Sequence, residues 1–275
     1  MGRYWRPQHL AEALNILGEA APVVLAGGTW LARDGGLPGP DAALLDISAV
    51  AELQGIAQQD GRWRIGAATT WSTLLQAKVP PFLAGLRQAG AMLGSPQIRR
   101  QGTIGGNLLA RFPAADGVPA LLCLDASLEF ASVAGARRVP LQAMLAGAMP
   151  RQDELLTAIL LPAPAGGQRS DFLKHGYRRA MAVAVASAAI RLDIAGGTVR
   201  GARIALGGCL SLPQRLPGLE AALFGQPVQA LAASIGPEAL TGLPFLEDGL
   251  APAAYRQSAA LVLLRRLLAQ AEQAA

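Results

Sequence analysis

Cysteine and histidine are scarce in this chain of 275 residues, which contains two of each. The two cysteines, Cys123 and Cys209, lie far apart and are too few for a disulfide framework or a four-thiolate metal cluster. The two histidines, His9 and His175, belong to no catalytic or zinc-binding motif. We therefore expect a reducing, cytoplasmic setting and no metal ligands in this chain.

Long apolar runs are also missing. The longest is Ala180–Ile190, and it contains Ser187, whereas a helix that crosses a membrane needs about 20 apolar residues. Residues 1–7 carry two arginines, and no apolar stretch of a secretory signal follows them. We expect no membrane span. A composition of 52% hydrophobic and 16% charged residues excludes a disordered chain.

The positive charge comes almost entirely from arginine. Lysine and arginine number 24 against 19 acidic residues, which gives a net charge of +5, and Lys78 and Lys174 are the only lysines. The arginines are scattered, and no aromatic residues alternate with them as a base-stacking surface requires. Charge alone speaks to solubility and steering. We therefore do not expect nucleic-acid binding.

The common catalytic and nucleotide-binding motifs are absent from the sequence. It has no G-x-G-x-x-G, no phosphate-binding G-x-x-x-x-G-K-[ST], no G-x-S-x-G, no H-E-x-x-H and no C-x-x-C. No set of side chains forms a nucleophile or an acid–base pair, so we predict no catalytic residue. A protein of this kind leaves the chemistry to a bound cofactor.

Hydrophobic periodicity and turn residues predict a mixed α/β chain. The predicted helices cover residues 9–17, 70–77, 82–93, 227–235 and 251–271, and the predicted single strands cover 23–26, 43–47 and 155–161. Hairpins are predicted at 56–68 and 127–139. The Gly- and Pro-rich segment 163–168 is the predicted linker, and strands 183–194 and 198–206 after it indicate an antiparallel sheet.

Two segments concentrate glycine beside hydroxyl and amide side chains. The first is Leu25–Trp30, which follows a predicted strand, and the second is Gln101–Asn107. Adjacent glycines admit positive φ angles and allow successive N–H groups to face one anion. Two such segments could hold a diphosphate from both sides. Plain turns remain the alternative, since Gly-Gly pairs also occur elsewhere in the chain.

Several motifs together resemble the FAD-binding medium subunit of the molybdenum hydroxylases, the xanthine dehydrogenase and carbon monoxide dehydrogenase family. The resemblance covers nearly the whole chain, and its most specific part is the T-I-G-G-N segment with the Q-I-R before it. The matching segments are Ala26–Thr29, Ile65–Ala67 with Thr69 and Thr70, Pro96–Asn107, Pro113–Asp116, Lys174 with Arg178 and Arg179, Gly207–Gly208, and Ala254–Arg256.

The resemblance implies an α+β fold of the PCMH, or vanillyl-alcohol-oxidase, type. Two α/β subdomains at about 1–53 and 54–165 would form an FAD-binding domain over 1–165. Residues 166–275 would form a C-terminal flavoprotein domain with an antiparallel sheet and helices.

The resemblance also implies roles for individual residues. Two loops, Ala26–Leu31 and Thr103–Asn107, would bind the diphosphate. Asp116 would bind the ribose or adenine end, Lys174 would lie near the isoalloxazine or the phosphates, and Leu93 and Leu156 would line the pocket. The implied FAD-binding residues are Leu25, Ala26, Gly27, Gly28, Thr29, Trp30, Leu31, Leu93, Thr103, Ile104, Gly105, Gly106, Asn107, Asp116, Leu156 and Lys174.

Three positions depart from the family pattern. Trp30 stands where a small polar residue is usual, Arg100 where asparagine is frequent, and Ala182 where an acidic residue is common. These departures bear on the flavin environment, the substrate and the electron acceptor rather than on FAD binding itself.

The implied function is electron transfer within a complex. FAD would pass electrons from the [2Fe-2S] clusters of a small subunit to an external acceptor, and a large molybdopterin subunit would oxidise the substrate. The assembly would be a heterotrimer or a dimer of heterotrimers. A self-contained FAD oxidoreductase of the same fold is the alternative, and a non-enzymatic binding module for nucleotides or nucleic acid is a further one.

Overall fold

The computed structural model describes residues 2–33, 36, 38–164, 168–178 and 181–273. The chain divides into two compact units, and each draws on separate stretches of sequence. The first unit comprises Met1–Ala77, Pro96–Ala110 and Asp125–Ala163, and the second comprises Lys78–Ser95, Arg111–Leu124 and Pro164–Ala275. The predicted linker 163–168 includes residues 165–167, which lie outside the described residues.

Helices and strands alternate through much of the chain. The α-helices are α1 (Leu10–Ala20), α2 (Trp71–Gln76), α3 (Ala84–Met92), α4 (Pro96–Gln101), α5 (Ile104–Leu109), α6 (Gly117–Cys123), α7 (Leu141–Leu145), α8 (Pro217–Leu223) and α9 (Ala253–Gln273). The strands are β1 (Tyr4–Trp5), β2 (Val23–Leu25), β3 (Leu44–Asp46), β4 (Ile56–Gln59), β5 (Arg62–Gly66), β6 (Ser127–Ser132), β7 (Gly135–Pro140), β8 (Leu155–Pro162), β9 (Gln168–Gly176), β10 (Ala184–Ala195), β11 (Thr198–Gly207) and β12 (Gln214–Arg215).

A small parallel sheet lies at the start of the first unit. Its strand order is β1-β3-β2, and α1 connects β1 to β2. Leu14 and Leu17 of α1 pack with Leu45 of β3 in the core of this unit. Because the strands are parallel, the carboxyl ends of β2 and β3 lie at the same edge, where Leu25 pairs with Asp46. The first glycine segment begins at that edge.

A second sheet of the first unit is antiparallel, in the order β4-β5-β8-β6-β7. The β4–β5 hairpin turns at Asp60 and Gly61, whose φ angles of 51° and 68° suit a tight two-residue turn. Strand β8 lies in the middle and is buried from Leu155 to Leu161, which explains its continuous apolar run. Both hairpins predicted from the sequence are confirmed.

The second unit contains a four-stranded antiparallel sheet, in the order β12-β11-β10-β9. The β10–β11 hairpin turns at Gly196–Gly197, as the sequence predicts. Helix α9 packs its buried leucines onto this sheet, and together they form the core of the unit. The antiparallel C-terminal sheet and the α/β arrangement of the N-terminal part confirm the predicted α+β fold.

Two predictions of secondary structure are wrong. Residues 227–235 hold only a short 3-10 turn, Val228–Ala230, because the Val228 amide donates to the Gly197 carbonyl and so binds this segment to the β10–β11 turn. The second glycine segment, Gln101–Asn107, which the sequence predicts as a loop, instead spans the end of α4 and the start of α5. No helix among the described residues has the length and apolar character that a membrane crossing needs.

Candidate functional site

The first glycine segment leaves the end of β2 and turns immediately. Gly28 has a φ angle of 67°, a conformation that glycine adopts without strain. The Ala32 amide then donates to the Gly28 carbonyl at 2.9 Å, and the Arg33 amide donates to the Trp30 carbonyl at 3.0 Å. These two bonds close the chain into a compact turn at the edge of the parallel sheet.

Three successive backbone amides of this turn have no acceptor in the part of the chain that the structure describes. They belong to Gly27, Gly28 and Thr29. Successive N–H groups next to a residue with positive φ form a concavity that binds anions, and phosphate fits such a concavity well. The sequence predicts this arrangement for the first segment; the positive φ of Gly28 and the three available amides are compatible with it, and a diphosphate site there stays a prediction.

The second glycine segment has a different organisation. Thr103 caps α5, and its Oγ1 accepts from the Gly106 amide at 3.0 Å. The amides of Ile104, Gly105 and Asn107 also donate within the chain; their acceptors are the carbonyls of Thr69, Ala67 and Thr103. Helix formation and residues 67–69 thus already satisfy these four amides, and contact between Thr103–Asn107 and a diphosphate stays a prediction.

The glycines of the second segment allow backbones to approach each other closely. A β-carbon at Gly105 would lie 2.6 Å from the Ala67 carbonyl oxygen. One at Gly27 would lie 1.9 Å from the Gln101 carbonyl oxygen, and one at Gly102 would lie 3.3 Å from Thr29 Oγ1. The two glycine segments are therefore in direct contact within the first unit.

Residues 67–71 hold the second segment in this position. The Trp71 amide donates to the Gly102 carbonyl at 3.1 Å, and Thr70 pairs with Thr103 as an isolated bridge. The Trp71 side chain is buried. The sequence does not identify Trp71 as a supporting residue, because a tryptophan at the start of a helix gives no indication of which distant backbone it contacts.

The remaining predicted residues of the first unit differ in their exposure. Trp30 is 41% exposed, and the guanidinium of Arg33 lies 5.1 Å from the centroid of its ring. Leu31 and Asn107 are half-buried. Leu156 is only 2% exposed and pairs with Phe130 inside the antiparallel sheet. Contact between Leu156 and a cofactor therefore stays a prediction.

A buried ion pair joins two predicted residues of the second unit. Lys174 Nζ lies 2.6 Å from Asp116 Oδ2, and both side chains are 5% exposed. Lys174 also donates to the Met92 carbonyl at 3.4 Å, next to Leu93 at the end of α3. The structure thus brings together β9, the start of α6 and the end of α3, all of which contain predicted site residues.

Asp116 is incompletely satisfied in this arrangement. Its Oδ1 atom is buried and has no hydrogen-bond partner among the described residues. Burial raises the pKa of Asp116 to about 6, and the neighbouring Lys174 ammonium opposes that shift. A buried carboxylate oxygen without a donor is costly. The geometry therefore provides an acceptor for a ligand hydroxyl or amine.

The first segment fits FAD, because the diphosphate of FAD requires N–H donors and this segment supplies them. Among the described residues, no group of three or more His, Cys, Asp or Glu side chains could hold a metal ion.

Comparison with known proteins identifies the family. Residues 1–164 match the FAD-binding domain in molybdopterin dehydrogenase, and residues 171–271 match the C-terminal domain of CO dehydrogenase flavoproteins. The chain is 31% identical to the nicotinate dehydrogenase FAD-subunit of Eubacterium barkeri, over 82% of this chain and 80% of that one.

Two further comparisons cover almost the whole chain. The carbon monoxide dehydrogenase medium chain of Afipia carboxidovorans is 32% identical over 98% of this chain and 96% of its own length. The solved structure of reconstituted CO dehydrogenase from Oligotropha carboxidovorans superposes with a TM-score of 0.89 at 29% identity, over 100% of this chain and 99% of that one. The chain therefore belongs to the family of FAD-binding medium subunits of the molybdenum hydroxylases.

Proposed function

We propose that this chain is the electron-transfer flavoprotein subunit of a molybdopterin-dependent hydroxylase or dehydrogenase. When bound, FAD supplies the redox chemistry: it accepts electrons from [2Fe-2S] clusters of a partner subunit and passes them to an external acceptor. The observation that carries the proposal is that the amides of Gly27, Gly28 and Thr29 have no acceptor among the residues that the structure describes.

The first unit binds the diphosphate in this proposal. The amides of Gly27–Thr29 donate to the phosphate oxygens and offset their charge, because oriented N–H dipoles act as fixed partial positive charges. The second glycine segment supports the first through backbone contact, as the approach of Gln101 to Gly27 indicates. Its amides already have acceptors within the chain, so in this proposal it holds the first segment in place and contacts FAD without donating those amides.

The second unit supplies a polar contact in this proposal. Asp116 Oδ1, which has no hydrogen-bond partner among the described residues, accepts a hydrogen bond from an FAD hydroxyl in this proposal. Lys174 keeps the Asp116 carboxylate charged and fixed at 2.6 Å. The other residues implied by the family resemblance are retained as proposed FAD contacts: Leu25, Ala26, Trp30, Leu31, Leu93, Thr103, Ile104, Gly105, Gly106, Asn107 and Leu156.

Partner subunits complete the proposed complex. Two [2Fe-2S] clusters require more thiolates than the two cysteines of this sequence provide. We place the clusters on a small subunit and molybdopterin on a large one, in a heterotrimer or a dimer of heterotrimers. Both cysteines of this chain are buried and neither forms a disulfide, which is compatible with the proposed cytoplasmic location.

The domain division belongs to the same proposal. An FAD-binding domain over 1–165, with subdomains at about 1–53 and 54–165, would precede a flavoprotein domain over 166–275. The two family matches, over 1–164 and 171–271, support this division.

The visible spectrum of the purified protein tests the function, followed by identification of the chains that co-purify with it. We expect the absorption bands of oxidised flavin, and partners that contain iron–sulfur clusters and molybdenum. A colourless protein that does not bind added FAD would contradict the proposal. Turnover of a small organic substrate by the isolated flavin-loaded chain would instead favour a self-contained oxidoreductase.

A further inference from the structure

Arg256 is an arginine buried within the second unit. Its side chain is 1% exposed, although it lies on α9 and carries a charge. Its Nη1 donates to the carbonyls of Val185 at 2.8 Å and Gly208 at 2.7 Å, and its Nη2 donates to Asp248 Oδ1 at 2.5 Å. Burial of a guanidinium is expensive unless its donors are used. These bonds therefore fix the backbone that accepts them.

The turn after β11 lies between Arg256 and the segment before α6. Gly208 accepts from Arg256 through its carbonyl, and its amide donates to the Pro113 carbonyl at 2.8 Å. Its φ angle of 71° allows both groups to point in the required directions. The neighbouring Gly207 contacts α6, because a β-carbon there would lie 2.6 Å from Pro119 Cγ.

The contacts of this turn lie on both sides of Asp116 in the sequence. Pro113 precedes Asp116 by three residues, and Pro119 follows it by three. The Gly207–Gly208 turn therefore holds the backbone before and after Asp116, whose carboxylate must reach Lys174. Arg256 fixes that turn from the opposite side, through the Gly208 carbonyl.

We propose that Arg256 is a positioning residue for FAD binding: by fixing the Gly207–Gly208 turn, it places the Asp116 carboxylate against Lys174 with one oxygen left for the cofactor. This inference rests on the proposed function, because it takes the ligand of Asp116 to be FAD. Arg256 itself does not touch the cofactor.

A double-mutant cycle separates this role from a general contribution to stability. The dissociation constant of FAD is measured on the protein purified with its partner chains, after removal and readdition of FAD. In the wild-type background, we expect Arg256→Lys to weaken FAD binding about tenfold. When Asp116 is already replaced by Asn, the same change should weaken FAD binding by less than about twofold, because residues in one network couple. Equal effects in both backgrounds would overturn the proposal.

Two further variants protect the test against simple loss of folding. Leu264→Ala removes a buried side chain of α9 eight residues after Arg256, so it lowers stability and should leave FAD affinity within about twofold. An equal loss of FAD affinity in Leu264→Ala would overturn the proposal. If Arg256→Lys does not fold, Gly207→Ala takes its place in the cycle, because its β-carbon would displace Pro119. Its effect on FAD affinity should also be smaller when Asp116 is replaced by Asn.

The outcomes distinguish this inference from the proposed function. Wild-type protein that does not bind FAD contradicts the proposed function itself. Wild-type protein that binds FAD, together with an Asp116→Asn variant of unchanged affinity, contradicts only the role of Arg256 and Asp116.

Discussion

The carbonyl oxygen of Gln101 lies 1.9 Å from the position that a β-carbon on Gly27 would occupy. This approach places the two glycine segments of the first unit in contact. It also gives Gly27 a role that no other residue can take, because any side chain would collide with backbone rather than with a flexible group.

Replacement of Gly27 by Ala should therefore displace the first segment and weaken FAD binding. Overpacking of this kind costs about 1–3 kcal/mol, which corresponds to a loss of affinity of about fivefold to 140-fold if the shift falls on the amides. Gly39→Ala is the matched control, since no atom lies within 4 Å of its β-carbon position. Titration of flavin-free protein with FAD measures both. Equal affinities in the two variants would contradict the assignment of the first segment.

FAD affinity should rise with pH as Asp116 loses its proton. Its pKa is about 6 in the absence of ligand, chiefly because of burial. A hydrogen bond donated by FAD to Oδ1 favours the ionised form of Asp116 and lowers its pKa. FAD binding therefore releases a proton. Affinity should increase between about pH 5 and 7, by at most about tenfold per unit for one proton.

Asp116→Asn provides the control for this pH dependence. The variant lacks the titrating group, so its FAD affinity should be flat over the same range. A slope that persists in Asp116→Asn would assign the pH dependence to another group.

Glu154 should contribute strongly to the stability of the first unit. Its side chain is 1% exposed, and it accepts from Arg137 Nε at 2.6 Å and from the Arg151 amide at 2.8 Å. The hydrogen bond from Arg137 is the main cause that lowers the pKa of Glu154 to about 2. Because this pKa is depressed, the stabilisation is complete above about pH 4.5 and is lost as pH falls towards 2.

Glu154→Gln should lower the free energy of unfolding by about 2 kcal/mol at pH 7, and the difference from wild type should shrink below pH 4.5. Asp153→Asn is the control, because Asp153 forms an exposed pair with Arg151 and should change stability by less than about 0.5 kcal/mol. Urea unfolding at several pH values measures both. A difference independent of pH would argue against the ionised pair.

Thr103 should act through its hydroxyl as a helix cap. Thr103→Val leaves the Gly106 amide without its acceptor and should destabilise the protein by about 1 kcal/mol. Thr103→Ser keeps the oxygen and should retain both stability and FAD. Thermal unfolding measures the stability of both variants. Equal losses of stability would show that the methyl group of Thr103, rather than its hydroxyl cap, is what matters.

Local patterns predicted much of the fold correctly. The cap of α2 at Thr70, the turn at Asp60–Gly61 and the long strands around Gly196–Gly197 all follow from residues close in sequence. The site was harder to predict. The sequence indicates that glycine is needed at Gly105. The reason is the close approach of the Ala67 backbone, which only the folded structure reveals.

Long-range contacts explain the rest of what sequence reasoning missed. The pairing of Asp116 with Lys174 depends on α6 and β9 coming together, and no periodicity reports it. Arg256 resembles an ordinary helix-surface arginine in sequence, yet it is buried and donates to two carbonyls of the second unit.

A crystal structure of the FAD-bound protein tests the central claim most directly. We predict that the diphosphate oxygens lie about 2.7–3.2 Å from the amide nitrogens of Gly27, Gly28 and Thr29. We also predict that the amides of Ile104–Asn107 keep their present acceptors. A diphosphate bound away from the Gly27–Thr29 amides would contradict the account.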